Sequence, residues 1–375
     1  MKKTSSEKKM NLSDIVTVAV FTLILFGFLI SNIARTPQSV SKSERRNLAQ
    51  LPEITLSTIA DASFMDKFED FALDQFALRD RLRTVKSLSL FNVFLQTDNN
   101  DIYVAGEHVS KFETLRIDPF GKGIDKIQRL QEEYLSDMKV FIALVPDKNY
   151  YLAPSGGYPR FDYDYIREAT SVIDAKHIDL YESINSDDYY RTDIHWNQPH
   201  LQGILDTLGS AMGFAVNLDE FTPHTLSPFY GGYYGHSALP LKPDTLTYLT
   251  NAATESAEVM MLDDKTHEFK LVPMYDETKF TGIDPYDLFL QGATPVITIS
   301  NANAASEREL IIFRDSYTSS LAPLLSGVYS KITLVDLRYI ASPLLGDYVD
   351  FNANVDALFL LSPSIINNSE VLMVR

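Results

Sequence analysis

The longest apolar stretch of the chain lies near its N-terminus. Residues 15–34, IVTVAVFTLILFGFLISNIA, contain no charged side chain, and four lysines precede them. At about 1.5 Å per residue, a helix of this length spans roughly 30 Å, the thickness of a bilayer core. We therefore predict a cytoplasmic basic tail at 1–14, a transmembrane anchor at 15–34 and an outward-facing chain after it. A cleaved signal peptide is the alternative, but its apolar region is usually only about 7–15 residues long.

The pattern changes directly after the apolar stretch. Residues 35–62 are polar, contain prolines and show no strong period, which predicts a stalk. Residues 63–96 carry apolar side chains at three- and four-residue steps, which predicts one or two amphipathic helices. A short hairpin strand is expected at 102–109. We place the extracytoplasmic domain at 63–375.

The remaining pattern alternates short apolar runs with amphipathic segments. Helices are predicted at 124–138, 160–174 and 316–329, and strands at 139–146, 177–184, 309–313, 331–337 and 357–361. Apolar strands that alternate with helices predict an α/β fold, a mainly parallel sheet flanked by helices on both faces. Residues 222–300 are rich in Thr, Tyr, Gly and Pro, which predicts a β-rich excursion from that sheet.

Composition narrows the classes of function. The chain has 375 residues, of which 45% are hydrophobic, so it can bury a sizeable core. Its 33 Lys and Arg against 50 Asp and Glu give a net charge of -17, which disfavours nucleic acid as a partner. With no cysteine, disulfides, thiolate nucleophiles and cysteine zinc sites are excluded.

The first motif with chemical content is YYRTDIHWNQPH, which contains Asp193 and His195. In an extended segment these two side chains point to one side and Ile194 points to the other. A carboxylate beside an imidazole fixes its tautomer and stabilises the imidazolium. Two alternatives stay open: a turn-capping aspartate beside a structural histidine, and a metal site that includes His200.

The second motif is ELIIFRDSYTSSL, in which a predicted strand leads into Ser316 and then a helix. A serine at such a turn is presented at the C-terminal edge of a sheet, beside backbone N–H groups that can form part of an oxyanion hole. Plain helix capping is the alternative. Acyl transfer at Ser316 needs a base, and among the seven histidines only His195 belongs to an Asp-x-His unit.

These residues resemble a known family. RTDIHW, IIFRDSYTSSLAPLL and ITLVDLRYI are similar to motifs of the DHHW family and, more distantly, to the SGNH-hydrolase-like proteins of alginate O-acetylation. The resemblance implies an SGNH-hydrolase-like fold, with Ser316 as nucleophile, His195 as general base and Asp193 as its orienting acid. Ile194 stands where the family name implies a second histidine, and RDS stands where ordinary SGNH hydrolases have GDS.

The resemblance leaves the remaining contacts to be assigned. The backbone N–H of Ser316 is the first expected oxyanion donor. Candidates for oxyanion or substrate contacts are Asn149, Arg314, Tyr317 and Trp196. Asn149 is the candidate second donor, with loop capping as its alternative. Arg314 is expected to contact an anionic substrate or to pair with Asp315 or Asp336. The tyrosines of the segment 229–234 could stack on sugar rings, with a structural role in the core or in a hairpin as the alternative.

The function that the resemblance implies is acetyl transfer at the cell membrane. We expect a membrane-anchored, extracytoplasmic O-acetyltransferase or acetylesterase that acts on a cell-surface polysaccharide. The expected chemistry needs no metal and no organic cofactor, and the family implies a membrane-bound O-acyltransferase as partner. The triad alone does not separate transferase from esterase. A non-catalytic glycan-binding or scaffolding protein of a cell-envelope polysaccharide system is the alternative from another class.

Overall fold

The computed structural model describes residues 11–375, so most of the predicted cytoplasmic tail lies outside the described residues. The α-helices are α1 Leu12–Ala34, α2 Leu56–Ala60, α3 Ser63–Asp74, α4 Arg79–Asn92, α5 Ile117–Tyr134, α6 Lys148–Gly156, α7 Tyr163–Thr170, α8 Gln202–Met212, α9 Gly232–Ser237, α10 Ala252–Ser256, α11 Thr318–Leu321 and α12 Pro363–Asn367. The strands are β1 Val40–Ser41, β2 Arg46–Asn47, β3 Ile102–Ala105, β4 His108–Lys111, β5 Lys139–Leu144, β6 Lys176–Ile178, β7 Thr222–Phe229, β8 Asp244–Thr250, β9 Glu258–Leu262, β10 Phe269–Val272, β11 Val296–Ser300, β12 Glu309–Arg314, β13 Lys331–Val335 and β14 Val355–Leu361.

Helix α1 covers the predicted anchor. It is 23 residues long and buries none of its side chains, and within residues 11–375 it is the one helix long and apolar enough to cross a membrane. Its length and composition fit an anchor and a signal sequence alike. The side of the membrane on which the rest of the chain lies stays a prediction.

The chain divides into two compact units, with the boundary between residues 86 and 87. The sequence pattern placed the start of the second domain earlier, at residue 63. The difference arises because α3 is tied to the predicted stalk: Asp74 accepts from both Nη atoms of Arg46, at 2.8 and 2.6 Å, and from the N–H of Ala49 at 2.8 Å. The predicted stalk therefore contains a small hairpin, β1–β2, that packs with a helix.

The second unit is built on an eight-stranded sheet of order β10-β9-β11-β13-β12-β14-β5-β6. The five strands from β13 to β6 are parallel, and β11, β9 and β10 extend one edge with antiparallel pairing. This architecture confirms the predicted mainly parallel α/β sheet. Residues 222–300 hold the five strands β7 to β11, in keeping with the predicted β-rich excursion; β7 and β8 form a sheet of their own, and β9, β10 and β11 join the central sheet.

Both faces of the parallel sheet are buried, which explains why its strands were predicted correctly. In β5, Phe141 and Ala143 pack into one apolar cluster, and Val140, Ile142 and Leu144 pack into the other. Strands β12 and β14 alternate in the same way. Helix α8 covers the first face and α5 covers the second. Strands covered on both faces become nearly continuous apolar runs in the sequence.

The helix predicted at 316–329 is broken. The structure has the one-turn helix α11, followed by a short 3-10 helix at Ala322–Leu325 that contains Pro323. Proline lacks the N–H that an α-helix needs and its ring clashes with the preceding turn, which accounts for the break. Consequently no long helix dipole is available next to Ser316.

Candidate active site

The histidine motif forms a tight loop rather than an extended segment. Tyr189 and Trp196 make an isolated antiparallel bridge, and the N–H of Tyr190 donates to the carbonyl of His195 at 3.2 Å. The residues between them are bends. The expected extended geometry is therefore wrong, although the loop still brings Asp193 and His195 together. Ile194 packs among apolar side chains, as expected for a position that turns away from this pair.

The loop and the end of β12 bring three side chains into line. The Nδ1 of His195 lies 2.6 Å from Oδ1 of Asp193, and its Nε2 lies 2.8 Å from Oγ of Ser316. Asp193 and His195 are 0% and 6% exposed, so bulk water does not compete for these contacts. With the carboxylate accepting from Nδ1–H, Nε2 is left to accept the hydroxyl proton of Ser316. The three groups can act as nucleophile, base and orienting acid.

The carboxylate of Asp193 accepts hydrogen bonds from backbone N–H groups of two segments. Its Oδ1 also accepts from the N–H of His195 at 3.0 Å, and its Oδ2 accepts from the N–H of Gly232 at 2.7 Å. Gly232 begins α9. Hydrogen bonds of this kind favour the ionised carboxylate, the form that stabilises an imidazolium.

Ser316 lies at the C-terminal edge of the parallel sheet, two residues after β12. Its neighbour Asp315 fixes the turn, since Oδ1 accepts from the N–H of Tyr317 at 3.1 Å and Oδ2 accepts from the N–H of Ser362 at 2.7 Å. Burial raises the pKa of Asp315, and the bond from Ser362 opposes that rise. Within residues 11–375 the backbone N–H of Ser316 makes no hydrogen bond, which leaves it available to an oxyanion.

Two of the other candidates support the loop from within. Trp196 is fully buried, and its Nε1 donates to the carbonyl of Tyr317 at 3.1 Å and to Oγ of Ser320 at 2.9 Å. Tyr317 is buried against the rings of His195 and Trp196, and its hydroxyl donates to the carbonyl of Ile194 at 3.1 Å. Both side chains hold the loop against the end of β12.

Asn149 and Arg314 are also held by protein groups. The Oδ1 of Asn149 accepts from the hydroxyl of Tyr103 at 2.7 Å, and its Nδ2 donates to the carbonyl of Pro159 at 3.1 Å. The guanidinium of Arg314 is 2% exposed and donates to Oγ of Ser319 at 2.6 Å, to the carbonyl of Gly292 and to Oγ1 of Thr294.

These contacts change two expectations for Arg314. The expected substrate contact of Arg314 is corrected, because its guanidinium is buried in the fold. The expected pairing with Asp336 is corrected as well, since Asp336 binds Arg338 through both oxygens, at 2.8 and 2.6 Å. His200, the candidate metal ligand, lies 3.3 Å from Asp188. The oxyanion role of Asn149 stays a prediction.

Sequence reasoning missed three residues that shape the site. The ring of Tyr286 lies against His195, Asp244 binds the backbone of the histidine loop, and Lys148 binds its carbonyl oxygens. Tyr286 lies in a 3-10 helix, Pro285–Leu288, inside the segment interpreted as β-rich. No spacing in the sequence links these residues to the triad, and the burial of Lys148, which is unusual for a lysine, leaves no sequence signal.

Known proteins resemble this chain in fold and only weakly in sequence. No family model matches the chain, and no curated protein matches it. A DHHW family protein from Eubacterium siraeum superposes with a TM-score of 0.59 at 20% identity, over 73% of this chain and 95% of that one. Bacillus cereus PatB1 with a sulfonyl adduct superposes with a TM-score of 0.56 at 20% identity, over 72% of this chain and 97% of that one.

A third match is weaker. The O-acetyltransferase domain of Pseudomonas putida AlgJ has a TM-score of 0.41 at 10% identity, a likeness too low to support a structural inference. The first two matches agree with the family resemblance of the sequence motifs. The chain thus has the fold of a DHHW family protein and of PatB1, and its predicted relation to the DHHW family is confirmed at the level of the fold.

Proposed function

We propose that this protein is a membrane-anchored, outward-facing serine O-acetyltransferase or acetylesterase that acts on a cell-surface polysaccharide. The observation that carries the proposal is the chain of contacts from Asp193 Oδ1 through His195 to Ser316 Oγ, at 2.6 and 2.8 Å. The residues arise from two remote segments, so their alignment is not a consequence of local sequence. The fold shared with the DHHW family protein is consistent with the proposal.

The geometry supports a two-step reaction. Ser316 Oγ attacks the acetyl carbonyl carbon while Nε2 of His195 takes the hydroxyl proton, and the N–H of Ser316 donates to the developing oxyanion. The C–O bond to the leaving alcohol then breaks, and His195 returns the proton to that oxygen. An acyl-enzyme remains. In the second step His195 takes a proton from the acceptor hydroxyl, whose oxygen attacks the acyl carbon. The bond from that carbon to Ser316 Oγ then breaks, and His195 returns the proton to Oγ.

The acceptor decides between the two activities. With a sugar hydroxyl as acceptor the protein is a transferase, and with water it is an esterase. Tyr230 is 41% exposed, and its ring centroid lies 4.6 Å from that of Tyr234. The residue after Tyr230 is Gly231, whose N–H donates to Oγ1 of Thr192 in the histidine loop. An aromatic pair beside the loop is suited to stacking on a sugar ring. This arrangement favours a carbohydrate acceptor.

The site and its class of substrate can be tested with chemical probes. We expect an aryl sulfonyl fluoride to modify Ser316 of the detergent-solubilised full-length protein, and p-nitrophenyl acetate to give a burst of p-nitrophenol. Both signals should vanish in Ser316→Ala. They should persist in Ser171→Ala, a matched control whose exposed hydroxyl caps the end of α7. Partition of the acetyl group between water and added oligosaccharides then separates esterase from transferase.

Two outcomes of these probe experiments would contradict the proposed role of Ser316. If neither probe reacts with the wild-type protein while its fold is intact, the catalytic proposal is wrong and a non-catalytic glycan-binding function replaces it. If both probes react equally with Ser316→Ala, another nucleophile is responsible.

A further inference from the structure

A buried lysine lies behind the histidine loop. Lys148 is the first residue of α6, directly after the loop that leaves β5, and it is 1% exposed. Its Nζ donates to the carbonyl oxygens of Val109 at 2.7 Å, Tyr190 at 2.6 Å and Arg191 at 2.8 Å, with that of Asp193 at 3.2 Å. An ammonium has three N–H donors, so one of them is shared between two of the four carbonyls.

Three of these four carbonyls belong to the histidine loop. The loop between Tyr189 and Trp196 consists of bends, so its carbonyl groups have no strand ladder to satisfy them. Lys148 donates to three of them at a single point, and the carbonyl of Arg191 also accepts from the N–H of Val109 at 2.8 Å. Removing the lysine would take one donor away from each of these carbonyls, and the loss of a buried hydrogen bond carries a desolvation penalty.

Asp244, the first residue of β8, accepts hydrogen bonds from backbone N–H groups of the same loop. Its carboxylate accepts from the N–H of Arg191 at 3.0 Å, from the N–H of Thr192 at 2.8 Å and from Oγ1 of Thr192 at 2.6 Å. One buried lysine therefore binds the carbonyls and one buried aspartate binds the N–H groups. Together they fix the backbone that carries Asp193 and His195.

We infer that Lys148 is a positioning residue that holds the backbone of Asp193, and through it the ring of His195, in line with Ser316. The inference rests on the proposed function, since it assigns Lys148 to the alignment of the proposed base. The contact between Nζ and the carbonyl of Asp193 lies one peptide unit from the N–H of His195, which itself binds the carboxylate of Asp193. A shift of about 1 Å at a reacting group lowers rates by roughly 100-fold.

The test compares two lysines that bind backbone carbonyls. Lys148→Met removes the cation and keeps the length of the side chain. The control is Lys126→Met, since Nζ of Lys126 donates to the carbonyls of Ser369 at 2.9 Å and Leu372 at 2.6 Å on a helix outside the site. Turnover of p-nitrophenyl acetate and the far-downfield proton resonance of the Nδ1–H of His195 are measured for both full-length variants.

We expect Lys148→Met to lower kcat by about 100-fold with little change in KM, and to shift or abolish the downfield resonance. Lys126→Met should lower the midpoint of thermal unfolding but leave both readouts unchanged. An unchanged kcat and resonance in a folded Lys148→Met variant would overturn the inference. If that variant does not fold, Lys148→Arg is tested instead, because it keeps the charge and moves the N–H donors. Loss of kcat and of the resonance in Lys148→Arg would support the positioning role. Retention of both would contradict it.

The same experiment separates this inference from the proposed function. A wild-type protein that shows no turnover would contradict the proposed function. The resonance would then still report whether Lys148 holds Asp193 and His195 together.

Discussion

The ring of His195 lies flat against the ring of Tyr286, with centroids 3.7 Å apart and an angle of 5° between the planes. Tyr286 is 3% exposed, and its hydroxyl donates to Oγ of Ser320 at 2.8 Å, which fixes its own ring. The stack restricts rotation of the imidazole about its side-chain bonds. It therefore helps to keep Nε2 directed at Ser316.

Replacing this ring tests the role of the stack. We expect Tyr286→Leu to lower kcat/KM for p-nitrophenyl acetate by about 10-fold, because an aromatic pair contributes roughly 0.5–1.5 kcal/mol beyond burial. Tyr286→Phe keeps the ring, loses only the bond to Ser320 and should stay within about 3-fold of wild type. Equal rates for the Leu variant and the wild type would show that the loop alone orients His195.

The contact between Asp193 and His195 gives a stronger prediction. In Asp193→Asn an amide replaces the carboxylate, so its NH2 group can face Nδ1 and favour the tautomer in which Nε2 carries the proton. Nε2 then cannot accept from Ser316, and we expect kcat to fall by about 10³–10⁴-fold with the fold retained. Burst kinetics with p-nitrophenyl acetate measure the effect.

A second aspartate–histidine pair provides the control. Asp188 and His200 flank the histidine loop in the sequence, and the Nδ1 of His200 lies 3.3 Å from Oδ1 of Asp188. Asp188→Asn should keep kcat within a few fold of wild type. A comparable loss in both variants would mean that the effect comes from damage to the loop.

The exposed tyrosine pair next to the loop predicts a defect limited to the carbohydrate. We expect Tyr230→Ala to raise KM for transfer to an oligosaccharide acceptor by about 5-fold, since a stacked aromatic contact contributes about 1 kcal/mol. Hydrolysis of p-nitrophenyl acetate should not change, because that substrate has no sugar ring. Tyr230→Phe keeps the ring face and serves as the matched control. A loss of both activities would instead assign Tyr230 a structural role.

The sequence predicted the parts of the fold and site that leave a local pattern. Strands β5, β12 and β14 were predicted because burial of both faces makes them apolar runs. Ser316 and the Asp193–His195 pair were found because a nucleophile at a strand end and a spaced acid–base pair are local motifs. Their alignment was expected only from the need of Ser316 for a base and from the family resemblance, because no local pattern shows how two segments 121 residues apart meet.

Other features leave no such pattern. Lys148 binds backbone carbonyls, and every residue type has a carbonyl, so its acceptors carry no sequence signal. The burial of Arg314 depends on Gly292 and Thr294, which belong to a remote loop. The edge strands β9, β10 and β11 were interpreted as an excursion because a short strand does not indicate which sheet it will join.

The loop after β5 contains a carboxyl group with a strongly perturbed titration. Asp147 caps α6 by accepting from the N–H of Tyr150 at 3.0 Å, and it also accepts from the hydroxyl of Tyr163. Burial raises the pKa of Asp147 from 3.8 to about 6, against the opposing effect of those two donors. The folded state therefore holds a proton that the unfolded state releases near its ordinary pKa.

The sign of the pH dependence follows from this difference. The contribution of Asp147 to stability is fully present below pH 3.8 and is lost as the pH rises through about 6. Asp147→Asn stays neutral and keeps a capping oxygen. We expect the free energy of unfolding of the wild type, relative to this variant, to fall by up to about 3 kcal/mol between roughly pH 4 and pH 7.

Urea titrations of the detergent-solubilised protein at a series of pH values measure this difference. Asp162→Asn is the control, since Asp162 caps α7 in the same way, accepting from the N–H of Tyr165 at 3.0 Å, and is exposed. The control removes a capping carboxylate of the same kind at an exposed position, so a pH-dependent difference confined to Asp147→Asn assigns the effect to burial. A wild-type curve parallel to that of Asp147→Asn would show that Asp147 releases its proton as readily in the folded chain as in the unfolded one.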